Sequence, residues 1–408
     1  MRKNRFSFAA IAALTVTLSL CGCADADLEG NAPPKSGSIA EQTADMLSNI
    51  TDGTISGTAD GGASAAIING SITANIVETD AFPTMAKVCK RKSKTFTAEQ
   101  LLDLYDGEPH KSEMYTDENK IYETDDGQYG FVYDSGISYE TDSGGFLEIV
   151  HNRLDVWEKY EFFSDDEDLD FAPREEVLKN VRQELQNRFG IAPEEWEPGE
   201  FVTVKKEGGE YYKNLVIREV ENAEKQPGFD ENDLGYQKDK VAAERAEKHS
   251  AKDFYYIRLK FNIDGIPVFD DDVFSDRIEV GELLPCPYAE LIYTDKGIES
   301  IYLGSLTEND TSGVPEEYEL IGVDKARELI LKKYNETFFD GEIEVQDVQL
   351  AYLSVPQNDL NELYTNFESR PFYVFTCKKT EVYEGETYSY EFPDYFDAVT
   401  GKDLGVRP

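Results

Sequence analysis

Histidine is scarce enough in this 408-residue chain to bound its chemistry. His110, His151 and His249 are the only three, and no two stand at the spacing a shared metal ion needs, so a zinc site of the His-Glu-x-x-His kind is excluded. A Ser or Cys nucleophile with a His base could be assembled only through space, because no Gly-x-Ser-x-Gly elbow occurs. Each histidine is read as an ordinary surface or loop residue. Neither a Walker pattern nor a strand followed by Gly-x-Gly-x-x-Gly is present, which leaves nucleotide phosphates without a cradle. Carboxylates are the opposite case: with 82 Asp and Glu, pairs suited to general acid and base work arise by chance, and proximity in sequence carries no weight.

Clustered acids raise the question of calcium. Asp165-Asp166-Glu167-Asp168-Leu169-Asp170 supplies oxygens, but it sits just ahead of Pro173, where acids favour a helix N-terminus. Asp230-Glu231-Asn232-Asp233-Leu234-Gly235 opens like a calcium loop and then fails at Leu234 and at Val241, where an oxygen ligand and a bidentate Glu belong. Asp270-Asp271-Asp272 is a third, weaker cluster. All three are read as solvated charge, so no catalytic residue, cofactor site or metal site is assigned. Trp157 and Trp196 are the only tryptophans, while 24 Tyr and 23 Phe read as packing on amphipathic sheet faces. The tyrosines leave carbohydrate binding open.

The formal charge is −42. Such a chain is repelled by nucleic acid and by anionic headgroups, so nucleic-acid binding drops out. At 40% hydrophobic it can still bury a core. Length suggests two domains or one large one.

The elements follow from periodicity. Ile72, Ala74 and Ile76 alternate as a strand. Thr97 caps a helix over Phe96–Tyr105, with Leu101, Leu102 and Tyr105 on one side. Short strands are expected at 128–133, 137–140 and 146–150, punctuated by Gly127, Gly136 and Gly144-Gly145. Pro173 at the first helical position and Gly190 at the stop bracket a helix with Val177, Leu178, Val181, Leu185 and Phe189 on one stripe. Strands 201–204 and 211–217 read as a hairpin around Gly208-Gly209, followed by a polar connection, partly helical, over 226–253. The clearest strand is Tyr255–Ile263, turning at Asp264-Gly265. A hairpin at 289–303, a helix at 324–338 and strands at 345–353, 372–378, 388–392 and 395–399 complete the chain. Helix followed by meander occurs twice, ending at Gly190 and Gly341, and predicts an α+β fold of antiparallel sheets each packed by a helix, with two related halves at 67–225 and 254–408. Among Cys89, Cys286 and Cys377, a Cys286–Cys377 bridge is compatible with an oxidising compartment, whereas the alternation of Tyr373, Phe375 and Cys377 favours a buried thiol.

The N-terminus resembles the export signal of bacterial lipoproteins. Arg2, Lys3 and Arg5 precede an apolar run from Phe6 to Leu20, too short to span a bilayer, and Leu20-Cys21-Gly22-Cys23 is similar to a lipobox. The resemblance implies cleavage of residues 1–22 and lipid on Cys23, hence an anchor in the cell membrane on its extracytoplasmic side. The stretch 23–66, rich in Ala, Gly, Ser, Thr and Asp, reads as a flexible tether with a reach of roughly 35 Å. At the other end, Phe396-Asp397-Ala398-Val399-Thr400-Gly401-Lys402-Asp403-Leu404 resembles the closing strand and turn of PepSY-type modules over about 324–404. The general layout is similar to lipoproteins of anaerobic Gram-positive bacteria. PepSY-like and YycI-like domains restrain proteases or sensor kinases, so this likeness implies interaction rather than chemistry.

Three functions are compatible with these observations. The first is a non-catalytic interaction or regulatory module presenting a Tyr-rich sheet to an envelope protein or peptide. The second is a small-ligand or carbohydrate-binding lipoprotein, which a single deep pocket lined by Tyr and acids between the two halves would favour and a flat sheet would not. The third is an envelope hydrolase acting on wall or peptide substrates through two carboxylates, which two buried acids facing each other across a cleft, one with a raised pKa, would favour.

Overall fold

A computed structural model describes residues 71–78, 82–116, 119–133, 135–231, 234–269, 286–310, 314–337, 339, 341–356, 367–383 and 386–404. The expected export signal, Cys23, the expected tether and Asp270–Asp272 lie outside the described residues. Helices α1 (Ala98–Leu102), α2 (Asp142–Val156), α3 (Arg174–Phe189), α4 (Lys206–Glu224), α5 (Leu234–Lys248) and α6 (Val323–Glu336) pack on two sheets, which is the expected α+β class.

The larger sheet is antiparallel. Its strands run in the order 110–111, 120–123, 129–133, 136–140, 297–304, 288–294, 254–263, 196–204 and 163–164, with 266–267 added beside 254–263. On one face, Val177, Val181, Leu185 and Phe189 of α3 bury against Ile137, Tyr139, Ile257, Leu291 and Ile301. On the other, α2, α4 and α5 bury Phe146, Val150, Leu154, Tyr212, Val216 and Ala246 against Val202, Val204, Tyr256 and Ile292. The smaller sheet holds strands 71–78, 342–356, 367–383, 85–93, 307–309, 316–319 and 386–397, and α6 lays Ala326, Ile330 and Tyr334 on Ile343, Val345, Tyr373 and Phe375. Cys89, Ile263 and Tyr352 join the two sheets in one small apolar cluster.

The expected halves interleave. Strand 136–140 pairs with 297–304, and strands 71–78 and 85–93 pair with 342–356 and 367–383, so each sheet draws on both sides of the 226–253 connection. The helix-then-meander pattern holds after α6; after α3 a single strand leads into α4 and α5.

Two expected strands are helical, for the same reason. Residues 146–150 lie in α2, where Thr141 caps the helix by accepting from Gly144 N at 2.8 Å. Phe146, Val150 and Leu154 then repeat at helical spacing. Residues 211–217 lie in α4, with Tyr212 and Val216 on its buried side. The glycine pairs read as turns are contact points instead: a Cβ on Gly144 would overlap the Glu299 carbonyl, and Cβ atoms on Gly208 and Gly209 would crowd Leu154 and Ala251. The strands expected at 388–392 and 395–399 are one strand, Glu386–Asp397, which pairs with 367–383 on one side and tolerates Pro393 because, among the described residues, its other side is bridged only between Phe396 and Asp403. Pro173 is the residue before the first helical position of α3, and Gly190 closes that helix at φ 61° as expected.

Cys377 is fully buried with Tyr373 and Phe375, is not bridged to Cys286, and lies 3.9 Å from the Tyr334 hydroxyl oxygen. Beside it, Lys333 Nζ reaches Asp394 at 2.8 Å and Asp403 at 3.0 Å, and Tyr334 donates to the other Asp394 oxygen at 2.7 Å.

Candidate functional site

The tyrosines collect on one patch of the larger sheet. In strand 129–133 the alternation Tyr129, Phe131, Tyr133 puts three rings on the face shared with α2. Register extends the row across the sheet: Phe131 stands opposite Ser138, Ser138 opposite Tyr302, and Tyr302 opposite Glu290, while Tyr133 leads through Gly136 and Gly304 to Tyr288. The glycines make the row possible. A Cβ on Gly136 would enter the Tyr133 ring, and one on Gly304 would press on the Tyr302 ring, so both rings lie low over backbone that carries no side chain.

Contacts run the length of the row. Tyr129 and Phe131 rings are 6.2 Å apart, Phe131 and Tyr133 stack at 5.8 Å, and Tyr288 and Tyr302 lie at 5.7 Å. The Tyr133 and Tyr302 hydroxyls meet at 2.9 Å, and the Arg258 guanidinium lies over the Tyr288 ring at 5.0 Å. All five rings are partly exposed. Aromatic side chains with few rotatable bonds, fixed by their neighbours, lose little entropy when a partner covers them.

Carboxylates line the edge of the row where α2 begins to cover the sheet. Glu290 accepts from Tyr256 at 2.7 Å and from Tyr288 at 2.6 Å. Glu148 of α2 accepts from Ser300 Oγ at 2.9 Å. Burial raises both pKa values, and for Glu148 the nearby Glu290 and Glu140 raise it further, to about 8. Arg245 of α5 reaches Glu140 at 3.4 Å; burial nonetheless holds Glu140 above the usual carboxylate range. His151 is stacked on Tyr256 with ring centroids 3.6 Å apart, and burial pulls its pKa down to about 4. The group can therefore offer a protonated carboxyl beside aromatic rings at neutral pH.

The other sequence candidates fall elsewhere. His110 is exposed beside Asp125 at 3.5 Å, and His249 pairs with Asp142 at 3.3 Å. Asp168 accepts from Arg174 N at 2.8 Å, serving the start of α3 as expected. In the Asp230 cluster, Asn232 and Asp233 lie outside the described residues. Among the described residues no three His, Cys, Asp or Glu side chains converge in a metal-holding group.

No protein-family model and no curated protein matches the chain. Among solved structures it resembles an uncharacterized protein from Eubacterium rectale, with a TM-score of 0.52 and 16% identity over 83% of this chain and 92% of that one. At that identity the likeness is one of fold.

Proposed function

We propose that this chain is a lipid-anchored extracytoplasmic protein without catalytic activity that presents the aromatic row to a protein or peptide of the cell envelope. The observation that carries the reading is the row itself: five partly exposed rings carried by three of four registered strands, seated on two glycines. Partner binding concentrates on such anchors, and truncating one typically costs about 2 kcal/mol or more, roughly thirtyfold in affinity. The lipobox resemblance at Cys23 and the tether support presentation at the membrane surface.

The test places a photo-crosslinking residue at Phe131 or Tyr302 in the full-length lipoprotein within its own cells. Capture of one defined envelope protein or peptide, lost when Tyr133→Ser is added, supports the reading. Capture of nothing from either position, with efficient crosslinking at a control site, refutes it.

The raised pKa values of Glu148 and Glu290 favour a second reading, a carboxylate-dependent hydrolase. That reading requires turnover of an envelope glycan or peptide that disappears in Glu148→Gln.

A further inference from the structure

A second site lies away from the aromatic row, at the ends of strands 136–140, 288–294 and 297–304. A cleft of about 640 Å³ opens there between α3 and the N-terminus of α2. We infer that this cleft binds a small organic cation, a primary ammonium flanked by hydroxyl or amide groups.

The wall from α3 follows from helical spacing. With Val177, Val181, Leu185 and Phe189 on the sheet, the adjacent stripe of Asn180, Gln183, Glu184 and Arg188 faces the cleft. The floor is built from buried polar side chains. Tyr139, 2% exposed, donates to Gln128 Oε1 at 2.9 Å, and Gln128 Nε2 reaches Asp126 Oδ2 at 3.2 Å. Glu299, also 2% exposed, is paired with Lys252 from behind. Asn180 donates to the Tyr293 hydroxyl at 3.2 Å. Side chains fixed in this way present oriented acceptors and donors, which suits ligand hydroxyl or amide groups.

The charges select the sign of the ligand. The carboxylates of Asp106, Asp126, Asp142, Glu184 and Glu299 line the cleft, against two cationic side chains, Arg188 and Lys296. Both cations are engaged: Arg188 holds Glu184 at 2.5 Å and the Asp103 carbonyl, and Lys296 faces Glu299 at 3.9 Å. Asp142 is met by Lys248 and His249. Among the described residues no cation of the cleft stands beside Asp126 or Asp106. Hydrogen bonds from Thr124 and Gln128 hold Asp126 below the usual carboxylate range, so it stays ionised. His249, stacked on Phe146, closes one side of the cleft with its Nε2 3.3 Å from Asp142 Oδ1. An anion entering this cleft meets uncompensated acids, whereas an ammonium completes their pairing.

Two sources share that chemistry, an amino sugar and a basic peptide, and the test separates them. The full-length protein in detergent is titrated calorimetrically with glucosamine, N-acetylglucosamine, a lysyl dipeptide amide, its acetylated form and inorganic phosphate. Saturable binding of one free amine, at least tenfold tighter than its acetylated form and weakened about tenfold in Asp106→Asn/Asp126→Asn, supports the inference and names the source. Both acids are exposed, so the double variant retains its fold. Tyr133→Ser should leave this binding unchanged, which keeps the result independent of the aromatic row. No saturable binding of either amine at millimolar concentration overturns the inference, as does equal affinity for acetylated forms or for phosphate.

Discussion

Replacing Glu148 by glutamine should stabilise the protein, and should do so only above mildly acidic pH. The carboxyl is half-buried beneath α2, faces Glu290, and its pKa rises from 4.5 to about 8. Between those values the folded state keeps a proton that the unfolded chain has released, so each pH unit costs the fold about 1.4 kcal/mol. By pH 7.5 the cost reaches about 4 kcal/mol, and allowing half for solvent that reaches a partly exposed carboxyl leaves about 2 kcal/mol. The amide that replaces the carboxyl has nothing to ionise and can still accept from Ser300. Urea denaturation of wild type and Glu148→Gln at pH 5.0, 6.5 and 8.0 reads the difference directly. The two should nearly coincide at pH 5.0 and separate by about 2 kcal/mol at the alkaline end, a rise of about 3 °C in Tm for a fold of this size. A gain of equal size at every pH, or a loss at pH 8.0, would refute the assignment of a protonated Glu148.

Three further outcomes are expected. His151, whose pKa burial lowers from 6.5 to about 4, should cost stability on the opposite limb: the unfolded chain binds its proton first, so stability falls as pH drops through this window, and His151→Phe should flatten that fall in an acid denaturation series. Asp394→Ala removes the fully buried partner of Lys333 and Tyr334, leaving Lys333 with the exposed Asp403, and should cost about 3 kcal/mol by chemical denaturation. Gly144→Ala should destabilise by about 2 kcal/mol in thermal melts despite alanine's better helix propensity, because the added methyl collides with the Glu299 carbonyl.

What could be read from the sequence was local. Strand 254–263 declared itself by alternation, α3 by its stripe and terminal glycine, and the 288–304 hairpin by Asp295-Lys296-Gly297. The failures came where glycine had two meanings. Gly144-Gly145 and Gly208-Gly209 read as turns, yet they let helices approach a strand backbone and neighbouring side chains. The aromatic row was half legible: Tyr129-x-Phe131-x-Tyr133 is visible as a pattern, but its continuation through Tyr302 and Tyr288 depends on pairing between strands far apart in the chain, as the Tyr133–Tyr302 contact shows with a separation of 169. The cleft was not legible, since its walls come from α3, the loop after strand 120–123, the start of α2 and the 294–297 turn. Individually those polar residues look like ordinary solvated surface.

The interleaving of the smaller sheet sets the order in which the chain can finish folding. Strand 71–78 has its partner at 342–348, and strand 85–93 meets 307–309, 316–319 and 367–369. These early strands must therefore wait for segments made about 200 residues or more later, with their edges open to other chains throughout that interval. A premature stop after residue 304 would not trim this lobe but orphan its opening strands, so shortened products should end in aggregation or proteolysis rather than in a smaller working protein.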